Sequence, residues 1–158
     1  DVSNYEISFS AKIINNHPIG DIKEKESSIK DQEDVVNYPG KKALVVDDNN
    51  LNLIIEKKIL SAYKIDVTTC ISGLECLTLM KNNQYDIIFL DHMMPEMDGI
   101  QVMHELKTMG IKLPPVVALT ANQYSGLGEM YVKEGFSSYL SKPINHKELK
   151  KILKQFLK

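Results

Sequence analysis

The chain has 158 residues, of which 43% are hydrophobic and 25% are charged, as is typical of one soluble globular domain. This composition excludes collagen-like, low-complexity and wholly disordered chains. The net charge is −2 and all 19 basic residues are lysines, so the basic surface and arginine forks typical of nucleic-acid binding are missing. We therefore expect no nucleic-acid partner.

The cysteines and the hydropathy indicate a cytoplasmic segment. Cys70 and Cys76 are separated by five residues, which is neither a disulfide framework nor a metal-binding spacing. No apolar run approaches the roughly 18 residues that a membrane span requires. Because the first residue is Asp and no signal peptide follows, we expect a piece of a longer chain that makes no membrane contact of its own.

The first forty residues differ in character from the rest. Residues 1–20 contain one strand-like stretch that is followed by the breakers Pro18 and Gly20. From Asp21 to Asp34, nine of fourteen residues are charged, which is typical of a linker or a solvated helix. We expect a charged linker over 21–40 and a single domain over 41–158.

Residues 41–158 alternate between short apolar runs and helical periodicities. The runs have the length of buried strands and lie at 43–46, 65–70, 85–90, 116–119 and 136–140. The periodicities comprise Leu51, Ile55, Ile59 and Ala62; Leu74, Leu77 and Met80; Val102, Leu106 and Met109; a weaker helix around 123–134 that contains Gly126 and Gly128; and Leu149, Ile152, Leu153, Phe156 and Leu157. Five strands alternating with five helices predict an α/β fold, a doubly wound parallel sheet.

Charged or hydroxyl side chains follow four of the five apolar runs. They are Asp47 and Asp48 after the first, Asp91 after the third, Thr120 after the fourth and Lys142 after the fifth. The second run offers none, which fits an edge strand in the flavodoxin-like order 2-1-3-4-5. Functional groups of open α/β sheets gather at the carboxyl ends of the strands, so we expect these side chains to converge.

Such a set of side chains suits a phosphoryl group and a hard cation. Carboxylates that repel one another are typically neutralised by Mg²⁺, which also keeps positions for water and phosphate oxygens. A lysine supplies a compact positive charge and a threonine hydroxyl can bond a further oxygen. Because the motif GxxxxGK[ST] is absent from the sequence, the chain is not a P-loop NTPase.

Four segments resemble the response-regulator receiver domain, and the resemblance covers about 41–158. They are Asp47-Asp48, the stretch LDHMMPEMDG at 90–99, ALTA at 118–121 and YLSKP at 139–143. The second is of a kind often seen in receivers attached to hybrid histidine kinases. The resemblance implies the C-terminal receiver of a bacterial-type hybrid histidine kinase. The parent kinase of such a receiver can be anchored in a membrane.

The resemblance also implies roles for the acidic residues. Asp91 would be the nucleophile that takes a phosphoryl group from a phosphohistidine, borne by a kinase or a phosphotransfer domain. Asp48 would bind Mg²⁺ directly and Asp47 mostly through water, with Asp91 and the main-chain carbonyl of Met93 as further ligands. The segment would catalyse only its own phosphorylation and dephosphorylation.

For the remaining site residues, the resemblance implies charge pairing and switching. Lys142 would pair with the phosphoryl group, and the Lys142-Pro143 peptide would be cis. Thr120 and Tyr139 would be coupled switch residues, with Tyr139 moving from an exposed rotamer into space that Thr120 vacates. A homodimer through the fourth helix, fifth strand and fifth helix is an expected partner interaction.

Alternative functions remain at this point. The chain could be a stand-alone, single-domain response regulator that acts as a dimerising interaction module. A Mg²⁺-dependent aspartyl-phosphate hydrolase is disfavoured, because it would need its nucleophile at the first strand. Residues 5–11 resemble the closing strand of a kinase ATP-binding domain, so 1–20 would be the tail of such a domain. Because the sequence ends at the fifth helix, we expect no output domain, which disfavours a transcription factor.

Overall fold

The computed structural model describes residues 36–122 and 126–158, in which five strands alternate with five helices. In chain order they are β1 (Lys42–Val46), α1 (Asn50–Ser61), β2 (Asp66–Cys70), α2 (Gly73–Asn82), β3 (Ile87–Asp91), α3 (Gly99–Thr108), β4 (Val116–Thr120), α4 (Leu127–Glu134), β5 (Ser138–Ser141) and α5 (His146–Phe156). The expected tail at 1–20 and most of the expected linker at 21–40 lie outside the described residues. In the described part of the chain, every helix is too short or too polar to cross a membrane.

The five strands form one parallel sheet in the order β2-β1-β3-β4-β5, which confirms the predicted fold class and strand order. The register aligns the carboxyl ends of the central strands. Asp91 pairs with Leu119 on β4, and Thr120 pairs with Ser141 on β5. The ends of β3, β4 and β5 therefore meet at one edge of the sheet.

Helices cover both faces of the sheet, because alternate side chains of each strand point to opposite sides. Val45 and Phe89 belong to the core beneath α1 and α5, whereas Leu44 and Leu90 belong to the core shared with α2, α3 and α4. All positions of β3 and β4 are buried, as expected of central strands in a parallel sheet.

The predicted apolar stripe on α1 is mostly wrong, because only Ile59 of its four residues packs against the core. Leu51 and Ile55 are 63% and 48% exposed, while the helix buries Leu53, Glu56 and Leu60. Apolar residues occupy several faces of this helix, so periodicity alone could not choose among them. The side chain of Asn49 caps the helix two residues after Asp47, and this short connection to β1 determines which face meets the sheet.

The predicted stripes of the other helices agree better with the structure. On α3, Val102 and Leu106 are fully buried, and on α5 Leu149 and Leu153 are. On α2, in contrast, Leu74 is 57% exposed, so the stripe there is only partly right.

The fourth helix is bounded by two glycines. Gly126 is its N-cap and Gly135 its C-cap, both with left-handed backbone (φ 102° and 99°), a conformation that favours glycine. Gly126 therefore lies before the helix and not inside it as predicted, and Gly128 lies within it. Residues 123–125 of the predicted helix lie outside the described residues.

Candidate functional site

Three carboxylates converge at the carboxyl edge of the sheet. Each of Asp47, Asp48 and Asp91 offers an oxygen, and these oxygens lie within 4.8 Å of one another. Asp47 is fully buried and Asp91 is 6% exposed, whereas Asp48 faces solvent. Hard divalent cations prefer carboxylate oxygens, so this cluster could hold Mg²⁺.

Asp47 is held by hydrogen bonds from three residues. It accepts one from the main-chain N–H of Asn49 (2.8 Å) and two from the side-chain amide of Asn52 (3.1 and 3.2 Å). The ammonium of Lys142 also donates to it. Asn52 was missed by the sequence reasoning, although its position one turn into α1 is a signal that could have found it.

Lys142 bridges two of the carboxylates. Its Nζ pairs with Asp47 and lies 3.0 Å from Oδ1 of Asp91. Burial lowers the pKa of Lys142, but the hydrogen bonds with Asp47 and Asp91 outweigh burial and leave the pKa raised. The main-chain N–H of Lys142 donates to the Thr120 carbonyl (2.8 Å), and the Lys142-Pro143 peptide is cis, as the resemblance implies.

Asp91 has a raised pKa. Burial is the largest cause and the nearby charge of Asp47 acts in the same direction, while Lys142 and a hydrogen bond from the Met93 main-chain N–H oppose it. A buried carboxylate of this kind gains from any further positive charge at the site. The main chain of Met93 lies beside the Asp91 carboxylate, while the residue as a whole is 70% exposed.

A fourth carboxyl, missed by the sequence reasoning, lies beneath the cluster. Glu56 of α1 is 4% exposed, and its Oε2 has no hydrogen-bond partner among the residues that the structure describes. Its pKa is raised to about 8, chiefly by burial and then by the negative charges of Asp47 and Asp91, against an opposing effect of Lys142. Glu56 therefore carries a proton at neutral pH, which avoids a further negative charge in the interior.

The two expected switch residues occupy different environments. Thr120 ends β4, is 4% exposed and accepts a hydrogen bond at Oγ1 from the Asn122 main-chain N–H (3.1 Å). Tyr139 is 43% exposed and packs against α4, where a Cβ at Gly128 would lie 3.0 Å from its ring. Tyr131, which sequence reasoning missed, is buried, stacks on Tyr139 and lies with its phenol oxygen 3.0 Å from Nδ1 of His92.

Comparison with known proteins agrees with this geometry. Residues 43–154 match the family described as the response regulator receiver domain. The chain is 33% identical over 126 residues to the aerobic respiration control sensor protein ArcB of Escherichia coli (strain K12), covering 78% of this chain and 16% of that protein. It is 33% identical over 141 residues to hybrid signal transduction histidine kinase L of Dictyostelium discoideum, covering 85% of this chain and 8% of that protein. The chain thus spans a small part of these relatives.

A solved structure shows the same fold around a metal site. The receiver domain of sensor histidine kinase PA1611 from Pseudomonas aeruginosa PAO1, with a magnesium ion coordinated in its active-site cleft, is 29% identical with a TM-score of 0.67. The match covers 75% of this chain and 98% of that one. By fold, by site and by sequence, the chain belongs to the response regulator receiver domain family.

Proposed function

We propose that Asp91 is the phosphoacceptor of this receiver, in a phosphorelay that begins at a histidine kinase. The observation that carries the proposal is the position of the Asp91 carboxylate, 3.0 Å from the Lys142 ammonium and in one cluster with Asp47 and Asp48. The anionic nucleophile and the anionic phosphoryl group repel each other, so their reaction needs positive charge at the site. Lys142 supplies one such charge, and the carboxylate cluster could hold a divalent cation that supplies more.

In the proposed step, a carboxylate oxygen of Asp91 attacks the phosphorus of a phosphohistidine. The new O–P bond makes an acyl phosphate, while the P–N bond breaks and its electron pair returns to the imidazole nitrogen. Lys142 exchanges part of its pairing with Asp91 for a phosphoryl oxygen. The hydroxyl of Thr120 donates to another phosphoryl oxygen.

The carboxylate cluster is suited to Mg²⁺ in this reaction. Asp48 is exposed, so its carboxylate would bind the ion directly. Asp47 already accepts hydrogen bonds from Asn52 and Lys142 and would act mainly through water. Asp91 and the Met93 carbonyl complete the proposed protein ligands. The bound ion would neutralise charge on the phosphoryl oxygens. The magnesium in the PA1611 receiver supports this assignment.

Identification of the modified residue tests the proposal. After treatment with acetyl phosphate and Mg²⁺, borohydride should reduce an aspartyl phosphate to homoserine. We expect homoserine in the peptide that contains residue 91, and none when EDTA replaces Mg²⁺. Homoserine at a different aspartate, with residue 91 unchanged, would contradict the proposal.

We further propose that the phosphohistidine donor docks on an apolar surface beside the site, which we call the α1 patch. It consists of Leu51 and Ile54 on α1, Ile71 just before α2 and Leu74 in the first turn of α2, all more than half exposed. Ile54 and Ile71 line one groove. The first turn of α1 begins just after Asp48 and so lies next to the carboxylate cluster. A donor that brings its histidine to Asp91 must therefore contact the α1 patch.

Ile54→Asp tests the docking surface. We expect about tenfold slower phosphotransfer from a phosphorylated histidine phosphotransfer domain, because a charge replaces an apolar contact. Phosphorylation by acetyl phosphate, which needs no docking surface, should be unchanged. An exposed valine on α4, changed in the control variant Val132→Asp, should leave both rates unchanged. Equal phosphotransfer by Ile54→Asp and the wild type would contradict the surface.

The parent protein, by this proposal, is a hybrid histidine kinase, because both curated relatives described above are sensor or hybrid kinases. This role implies a receiver in the cytoplasm, where ATP supplies the phosphoryl group of the phosphohistidine.

A phosphorylation-dependent homodimer is a second proposal, which the exposure of Val132 (66%) and Tyr139 (43%) on α4 and β5 favours. Sedimentation with and without beryllofluoride distinguishes a dimer from a monomer at this face.

A further inference from the structure

The buried carboxylate of Asp47 is surrounded by donors from the protein itself. Its Oδ1 accepts hydrogen bonds from the main-chain N–H of Asn49 (2.8 Å) and from the side-chain amide of Asn52 (3.2 Å). Its Oδ2 accepts a hydrogen bond from the same amide (3.1 Å) and pairs with the Lys142 ammonium. A carboxylate has about four lone-pair positions, so these contacts use most of what Asp47 can accept. The orientation of Asp47 is therefore set by its protein neighbours.

The amide of Asn52 fixes the plane of this carboxylate. The torsion that turns a carboxylate about its last single bond is broad, so a donor to one oxygen alone leaves the plane free to rotate. The Asn52 amide donates to both oxygens and so opposes that rotation. Asn52 lies in the first turn of α1, which the side chain of Asn49 caps, so the amide comes from a well-anchored element.

The position of the Lys142 ammonium depends in turn on Asp47. A lysine side chain is a flexible stem with a compact charge at its end, so the carboxylates that pair with the charge decide where it lies. The Nζ of Lys142 pairs with Oδ2 of Asp47 and lies 3.0 Å from Oδ1 of Asp91. Phosphorylation would convert the Asp91 carboxylate into an acyl phosphate, whereas Asp47 keeps its charge. Asp47 is thus the constant partner of the ammonium during the reaction.

We propose that Asn52 is a positioning residue for phosphoryl transfer: by holding both oxygens of Asp47, it keeps the Lys142 ammonium where the phosphoryl group arrives. The inference rests on the proposed function of Asp91. A neutral amide suits this role, because it fixes the carboxylate without cancelling the negative charge that holds the ammonium. A lysine at position 52 would instead compete with Lys142 for the same oxygens.

Asn52→Ala in the full 158-residue chain tests the proposal, with acetyl phosphate as the phosphoryl donor. At saturating Mg²⁺ we expect phosphorylation about tenfold slower than in the wild type, because a hydrogen bond to a charged group is lost. The Mg²⁺ concentration that gives the half-maximal rate should stay nearly unchanged, because Asp48 is untouched. The matched control is Asn50→Ala, which removes an exposed amide from the same helical turn and should react as the wild type does.

A second variant guards against a loss of folding. Alanine is the best helix former, and circular dichroism checks that α1 is kept. Asn52→Leu, which has a side chain of similar shape without the donor, should show the same slowing.

Replacement of Lys142 separates this role from an effect on the metal or on packing. In a Lys142→Met background, Asn52→Ala should cause no further slowing, because its effect acts through the missing ammonium. A wild-type rate in Asn52→Ala, an equal loss in the Lys142→Met background, or a loss that more Mg²⁺ reverses would overturn the inference. If the wild type is not phosphorylated at Asp91, the proposed function is itself wrong. If the wild type is phosphorylated there and Asn52→Ala matches its rate, this inference alone is wrong.

Discussion

Asp47 and Asp48 are neighbours in sequence but differ in what holds them. Asp47 is buried and is the acceptor for Asn52 and Lys142, whereas Asp48 is exposed. Removal of Asp47 takes an acceptor away from the Asn49 N–H and from the partly buried side chains of Asn52 and Lys142, which costs about 1–3 kcal/mol even without metal. Removal of Asp48 leaves no such donor behind.

The two aspartates should therefore differ in their effect on Mg²⁺ binding. We expect Mg²⁺ at 100 times its Kd to raise the free energy of unfolding of the wild type by about 2.7 kcal/mol, and therefore to raise its Tm. Asp48→Ala should lose most of that gain with little change in the metal-free Tm, while Asp47→Ala should lower the metal-free Tm and lose less of the gain. Thermal unfolding with Mg²⁺ and with EDTA measures both. Undiminished Mg²⁺ stabilisation in both variants would refute the shared site.

Glu56 should make stability depend on pH. Its pKa rises from an ordinary 4.5 to about 8 in the folded protein, so between these values the folded state holds a proton that the unfolded state has lost. Because the unfolded state then binds fewer protons, stability falls as pH rises from about 4.5 to about 8. The stabilising contribution is complete below this range and gone above it.

The isosteric variant Glu56→Gln removes that titration. We expect urea unfolding in EDTA to give similar stabilities for the two proteins at about pH 5, and a variant more stable by roughly 2–5 kcal/mol at about pH 8.5. A difference between the two proteins that stays constant across this pH range would show that Glu56 does not titrate there.

At the scale of elements, the start of α3 is built against the end of β3. Asp98 caps the helix and forms a reciprocal capping box with Gln101. Gly99 donates its N–H to the His92 carbonyl (2.9 Å), and a Cβ at Gly99 would lie 2.4 Å from the main-chain oxygen of Asp91. The close approach of this helix therefore depends on glycine.

Gly99→Ala should push α3 and the end of β3 apart. We expect a loss of about 1–3 kcal/mol in stability and slower phosphorylation by acetyl phosphate, because the Asp91 backbone must shift. The control is Gly110→Ala, whose Cβ meets nothing within 4 Å and whose φ of +65° costs about 1–2 kcal/mol by itself. Equal phosphorylation rates in the two variants would contradict the coupling of α3 to Asp91.

Helices differ in how much of their packing the sequence predicts. Asn49 caps α1, yet the buried face of this helix was predicted wrongly. The apolar residues of α3 and α5 form a single stripe each, so there the spacing alone identifies the core. On α1, apolar residues lie on several faces of the helix. Core packing does not account for the exposed ones, Leu51 and Ile54, which belong to the proposed α1 patch.

At the scale of the whole molecule, the topology and the acidic cluster were predictable because both are local. Each strand is a short apolar run, and each site residue adjoins one, so a parallel sheet brings them to one edge. The Glu56 and Tyr131 contacts were not predictable, because they join α1 to the cluster and α4 to His92 and to β5. Spacing in the sequence carries no record of such packing between elements.

The central claim is that this site accepts one phosphoryl group at Asp91, and intact-protein mass spectrometry tests it most directly. With acetyl phosphate and Mg²⁺, the wild type should gain the mass of one phosphoryl group, and EDTA should prevent the gain. Asp91→Asn should gain nothing while it keeps the circular dichroism spectrum of the wild type, because an amide cannot form the acyl phosphate. A folded Asp91→Asn protein that gains the same mass as the wild type would contradict the account.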